Sequence, residues 1–153
     1  GQDNWFYASQ GRLPANITGI NASNAVMMGH VRSIRWTDEG WPLVMPERYG
    51  AVPSVAIKEE ELVGEWEHIN MGYNYQKQFT SVSLKLNSSN ISEGALTGSW
   101  NFDATKQTVT VGGVKLYLQR EVDWEISPRK VTIVYAGYSS DGKTTYWGKK
   151  IVN

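Results

Sequence analysis

From Val63 to Ile151 the sequence repeats one short theme: an alternating run, a cluster of turn-formers, then another run. The runs are VGEWEHI (63–69), FTSVSLKL (79–86), ALTGSWNF (95–102), QTVTV (107–111), VKLYLQRE (114–121), KVTIVYAGY (130–138) and TTYWGKKI (144–151). Between them lie NSSN, DATK, GG, SPR and SSDG, whose Gly, Pro, Asn, Asp and Ser residues preset or tolerate turn dihedrals. Period-two segments of this length are strands, and no long stretch sustains a helical period. Seven short strands over about ninety residues predict an all-β, antiparallel barrel or sandwich. A small barrel fills its interior with side chains, and Trp66, Trp100, Leu116 and Tyr135 are the expected filling.

The first 52 residues do not share this theme. NWFYAS (4–9) reads as a short strand, PANITGINASNA (14–25) as a polar loop, and VMMGHVRSIRW (26–36) as a long strand. Asp38-Glu39-Gly40 supplies a hairpin turn with Gly40 free to take positive φ, and WPLVM (41–45) returns. Trp36 and Trp41 flank that turn and are expected to pack together across it. Pro46 and Pro53 bound ERYGAV, which reads as a linker because proline cannot donate to a central ladder. The acids Glu59, Glu60 and Glu61 read as a solvated face or a single helical turn. Two units follow: residues 1–52, a strand and hairpin segment with linker, and residues 53–153, the barrel.

A few strands without a covering layer are not stable by themselves. Trp5, Tyr7, Met28 and Ile34 must therefore bury against the barrel, pair with another copy, or stay in water. At roughly 1.5–3 kcal/mol for each large side chain buried, a fold-back onto the barrel or self-association through residues 1–45 is expected.

Composition removes several classes of function. A formal net charge of +0 leaves no field to gather nucleic acid or anionic membrane. No apolar run approaches the length of a membrane-inserting helix. Cys 0 excludes disulfides, thiolate metal sites and cysteine nucleophiles, and His30 and His68, far apart in the chain, do not suggest a histidine-rich metal site. No cofactor-binding motif is present, so no cofactor and no metal are expected. Glu121, Asp123 and Glu125 alternate, which sets neighbours roughly 6–7 Å apart on one strand face. That spacing is near the lower edge for an acid and base in inverting sugar hydrolysis. A solvated strand face explains them more simply, and Glu65 and Glu67 alternate likewise around an inward Trp66. The sequons at Asn16, Asn21, Asn87 and Asn90 follow from Asn- and Ser-rich loops. Seven Trp and eight Tyr suit sheet packing and sugar contact alike, and Tyr73 and Tyr75 in NMGYNYQKQ (70–78) are the candidate sugar contacts.

Gly64-Glu65-Trp66 resembles the G-x-W opening of lipocalin-like barrels. More specifically, MGHVRSIRWTDEGWPLVMPERYG (28–50) resembles the end of the catalytic propeller in arabinanase-like members of glycoside hydrolase family 43, and WFYASQGRLP (5–14) resembles the preceding strand of that last blade. In such proteins a small β-barrel module often follows. The resemblance implies a parent that hydrolyses α-1,5-linked arabinan by inversion and works outside the cytoplasm, secreted, periplasmic or at the cell surface. It also implies the catalytic propeller domain as a partner, and an arabinose-containing glycan as a ligand of the assembly. The family's three carboxylates lie on earlier blades, and His30 does not occupy its cation-associated motif, so no catalytic residue carries over. Trp36, Gly40, Trp41, Pro42, Pro46, Arg48 and Tyr49 take an architectural role, closing the blade and setting the barrel against it. This chain is accordingly expected to be a non-catalytic accessory or scaffold module. The alternatives are a carbohydrate-binding barrel or a lipocalin-like cup for a small apolar ligand.

Overall fold

The computed structural model describes residues 4–12, 27–75 and 79–152, and is all-β. Three strands form an antiparallel sheet in the order β1-β2-β3: β1 (Trp5–Arg12), β2 (Met27–Trp36) and β3 (Pro42–Val44). Eight more close into a barrel: β4 (Gly64–Asn70), β5 (Val82–Leu86), β6 (Ile91–Gly94), β7 (Gly98–Asp103), β8 (Thr108–Val111), β9 (Val114–Asp123), β10 (Lys130–Tyr138) and β11 (Thr145–Lys150). Each barrel strand pairs with the next in sequence, and β11 returns to pair with β4. Closure removes the sheet edges that an open meander would expose.

The expected barrel is present, with one strand more than the seven read from the sequence. The extra one, β6, carries only Ile91-Ser92-Glu93-Gly94 and follows directly on an Asn/Ser turn, so its short pattern merges with turn chemistry. Gly94 shows why the strand stops there. Its φ is +91°, and a Cβ would lie 2.3 Å from the carbonyl oxygen of Ser83. The proposed strand starts at 79 and 95 shorten correspondingly to Val82 and Gly98.

Inside, Trp66, Leu84, Leu86, Trp100, Val109, Val111, Leu116, Leu118, Ile133 and Tyr135 form one buried cluster. The four residues expected to fill the barrel all belong to it. Gly148 makes room for the largest of these contacts, since a Cβ there would sit 2.0 Å from the Tyr135 ring. Tyr135 in turn pairs its hydroxyl with His68 Nδ1 at 2.7 Å, satisfying two buried polar groups at once. One barrel end is stoppered by a 3-10 turn at Glu59–Glu61, the single helical turn anticipated for the acid run. Leu62 and Ile57 enter the core beside it, and Trp66 Nε1 donates to Leu62 O at 2.9 Å. Arg120 binds Glu61 at 2.7 Å and also donates to the carbonyls of Val55 and Ala56.

The N-terminal sheet lies over the outer faces of β9, β10 and β11. Leu43 and Met45 form a second buried cluster with Tyr117, Val134 and Ala136, flanked by Tyr138 and Trp147. The sheet's other face points away: Trp5, Tyr7, Met28 and Trp36 remain exposed. Fold-back therefore occurs through one face only, and of the three outcomes left open for Trp5, Tyr7 and Met28 the structure shows exposure. Two readings of this region are corrected. Trp36 packs edge-on against Trp5, with ring centroids 5.6 Å apart, while Trp41 is 67% exposed, because Trp36 stands opposite Pro42 in the ladder. Segment 47–52 is no free linker, since Tyr49 N donates to Val31 O at 2.8 Å and Gly50 sits against Val122. The loop read at 14–25, with sequons Asn16 and Asn21, lies outside the described residues.

Candidate functional site

The seam between sheet and barrel is where polar chemistry concentrates. β9 and β10 present alternate residues outward, and the sheet covers that outward set. Glu121 and Asp123 are thereby buried, at 1% and 3% exposure, which overturns their reading as a solvated face. Only Glu125, beyond the strand end, stays in water. Glu121 is held by three donors: Ser33 Oγ at 2.9 Å from β2, Gly50 N at 3.1 Å from the exit segment, and Gln119 Nε2 at 2.9 Å from its own strand. Burial pushes its pKa up from the usual carboxylate value, and the three hydrogen bonds offset part of that.

Beside it, Lys149 on β11 gathers the carboxylates of Glu47, Asp123 and Glu125, at 3.2 Å for Glu47 and 3.1 Å for Asp123. Glu67 lies further off at 3.8 Å. Burial disfavours the ammonium, yet the surrounding carboxylates outweigh it and raise the lysine pKa. Glu47 is raised by burial against the pull of Lys149. Oxygens of Glu47, Asp123 and Glu125 lie within 4.8 Å of one another, a spacing that suits a cation. Lys149 already supplies the positive charge there, so the cluster reads as a buried ion-pair network joining exit segment and barrel.

Of the residues expected to have an architectural role, Gly40, Pro42, Pro46, Arg48 and Tyr49 lie along or beside this seam. The turn after β2 is clamped: Gly40 takes φ +82°, Asp38 N donates to Tyr117 Oη at 3.0 Å, and Asp38 Oδ2 binds Lys106 and Lys115 at 2.9 and 2.8 Å. Those two lysines lower the Asp38 pKa to about 2. Glu39 accepts from Tyr138 Oη at 3.0 Å. Pro42 opens β3, next to Leu43. Pro46 follows the fully buried Met45 and turns the chain toward Glu47. The Arg48 carbonyl accepts from Trp124 Nε1 at 2.9 Å, and its guanidinium stacks 4.8 Å above that indole. Tyr49 meets Phe6 edge-on at 4.7 Å. Trp36 and Trp41 are exposed at the far side of the sheet and at the turn.

Sequence reasoning missed Ser33, Arg35, Glu121 and Trp147 as seam residues. Arg35 Nη1 donates to Leu118 O at 2.8 Å, and Trp147 Nε1 to Val44 O at 2.8 Å. A signal existed: Leu116-Tyr117-Leu118 and Ile133-Val134-Tyr135-Ala136 are apolar at successive positions, the mark of a strand covered on both faces. Tyr73 and Tyr75 project from the loop after β4 and are 90% and 71% exposed, away from the seam residues described above. No helix among the described residues is long and apolar enough to cross a membrane.

The chain is similar in sequence and in fold to known proteins. An extracellular endo-α-(1→5)-L-arabinanase of Thermotoga petrophila is 27% identical over 126 residues, covering 79% of this chain and 26% of that protein. A second extracellular arabinanase, of Bacillus subtilis, is 22% identical over 78% of this chain and 26% of its own length. The crystal structure of endo-1,5-α-L-arabinanase from Thermotoga petrophila superposes with a TM-score of 0.76 at 25% identity, over 97% of this chain and 32% of that one. A family 43 glycoside hydrolase from Bacillus licheniformis shares the fold, with a TM-score of 0.76 at 18% identity over 99% of this chain and 33% of that one. The chain thus spans about a quarter of the length of the curated relatives it matches. Residues 46–148, from the Pro46 exit through the last barrel strand, match the C-terminal lipocalin-like domain of glycoside hydrolase family 43, GH43_C, and the chain belongs to that family.

Proposed function

We propose that the chain is a non-catalytic scaffold module of an arabinanase-like protein, holding a blade-like sheet at a fixed angle on a closed barrel. The observation that carries this reading is the seam itself. Glu121 and the carboxylates around Lys149 pair across sheet and barrel, which orients these groups rather than leaving them poised for proton transfer to a substrate. Glu121 is saturated by three donors and Asp123 is engaged by Lys149, so neither is a free acid or base. The parent activity we propose, from the named activities of the relatives, is hydrolysis of α-1,5-linked arabinan outside the cell. The partner is a catalytic propeller domain. The exposed face carrying Trp5, Tyr7, Met28 and Trp36 is the surface we assign to it, and the residue roles at Trp36, Gly40, Trp41, Pro42, Pro46, Arg48 and Tyr49 belong to that joint. The division at 52/53 is supported by a barrel core drawn entirely from residues 57–135.

Incubation of the purified chain with linear arabinan is expected to release no reducing ends. Turnover that disappears on altering Glu121, Asp123 or Glu125 would overturn the scaffold reading. A lipocalin-like cup is disfavoured by an interior packed with Trp66, Trp100 and Tyr135.

A further inference from the structure

Between the sheet and the barrel, on the β1 side of the seam, lies a cleft of about 550 Å³ that no contact described above fills. We infer that this cleft is a binding site for a short neutral oligosaccharide. Its volume falls in the usual range for small-molecule sites, which favour the junctions between structural units. Phe6 and Tyr49 line one side. Phe6 and Tyr49 fix each other edge-on at 4.7 Å, yet both stay 43% exposed. Rings that are locked but uncovered offer stacking surface at little entropic cost.

The rest of the lining, from β2, β9 and the segment leading into the barrel, is polar. Arg35 donates to the carbonyls of Leu118 and Lys106, and Arg120 to those of Val55 and Ala56 and to Glu61. Arg120 is neutralised by Glu61, and Arg35 has two of its donors held by main-chain carbonyls. The Gln119 amide is oriented by its bond to Glu121, and Gln107 is tied to Ile57 through both its amide atoms. A wholly apolar ligand would strip water from backbone and amide groups here without replacing those bonds. A sugar meets both walls, with its C–H face on the rings and its hydroxyls on the Gln119 amide and the main chain. The assignment is separate from the exposed Tyr73 and Tyr75, and it does not depend on the scaffold reading.

The test is a titration of the ¹⁵N-labelled chain with arabinotriose, xylotriose and maltotriose, and with octanoate as an apolar anion. Saturable shifts are expected at the amides of Phe6, Tyr49, Val55 and Gln119 with at least one trisaccharide, and none with octanoate. Ser54→Trp, which fills the cleft, and Tyr49→Ala are expected to weaken binding about tenfold or more while melting cooperatively, and Tyr73→Ala to leave it unchanged. Silence with all three trisaccharides at tens of millimolar overturns the proposal. So do shifts confined to the 71–75 loop, response to octanoate alone, or full binding retained by Ser54→Trp. If Ser54→Trp fails to fold, the map of shifted amides on the unaltered chain decides by itself.

Discussion

At the scale of single residues, the pairings that matter are those in which a buried polar atom has one partner and no alternative. Tyr135 and His68 are such a pair, and Gly148 exists to admit the Tyr135 ring. Gly148→Ala would push that ring off its place. A loss of about 1–3 kcal/mol or more is expected, read as a lower urea midpoint at unchanged slope. Glu121 gives a pH-dependent counterpart. Its pKa is raised in the folded chain above the ordinary 4.5, so the folded state holds this proton more tightly than the unfolded one. Stability from Glu121 is complete below pH 4.5 and is lost as pH rises through the raised value. Glu121→Gln should flatten that fall in a series of melts across this window, and an unaltered slope would show that the carboxyl does not carry it. His68, lowered by burial from 6.5, acts in the opposite sense: its contribution is present above pH 6.5 and is lost as pH falls through the lowered value.

Elements show a division of labour. β9 and β10 have a buried cluster on each side, the barrel core within and Leu43 and Met45 without. β3 is just three residues long, but together with Met45 it supplies the sheet's apolar contribution to the seam. Leu43→Ala or Met45→Ala should each cost about 2–5 kcal/mol of the sheet's attachment. The measurement is hydrogen exchange. The amides of Met45 and Tyr49, bonded to Ser33 and Val31, are expected to exchange faster, while that of Leu118, bonded to Gln107, is expected to hold. Equal acceleration at all three would mean that sheet and barrel open as one unit.

For the whole molecule, the question is how far the two units stand alone. A closed barrel with its own core and its own stopper should survive removal of residues 1–52. It would then present Tyr117, Val134 and Ala136 to water and lose part of its stability. A cooperative but lowered melt is the expected outcome, and an unfolded remainder would refute the 52/53 division. The intact chain carries the complementary liability, since Trp5, Tyr7, Met28 and Trp36 are exposed together on one sheet face. Sedimentation is expected to show self-association that Trp5→Ser with Trp36→Ser reduces.

What could be read from the sequence was whatever local pattern controls. Period-two runs and turn residues specify strands one at a time, so the barrel, the inward Trp66 and the hairpin turn at Gly40 were legible. β6 was not, because four residues beside an Asn/Ser turn carry too little pattern. The seam was hidden for a different reason. Alternation tells which residues share a face, but not whether that face meets water or another layer. Glu121 and Asp123 share a face with Tyr117, and only the sheet laid across β9 makes all three buried. The same limit separated Trp36 from Trp41: neighbours across a turn in sequence, they were parted by a ladder register that set Trp36 opposite Pro42. Strand identity is a local property of the chain, whereas the environment of a strand's outer face belongs to whatever packs on it, and that is decided only when both are folded together.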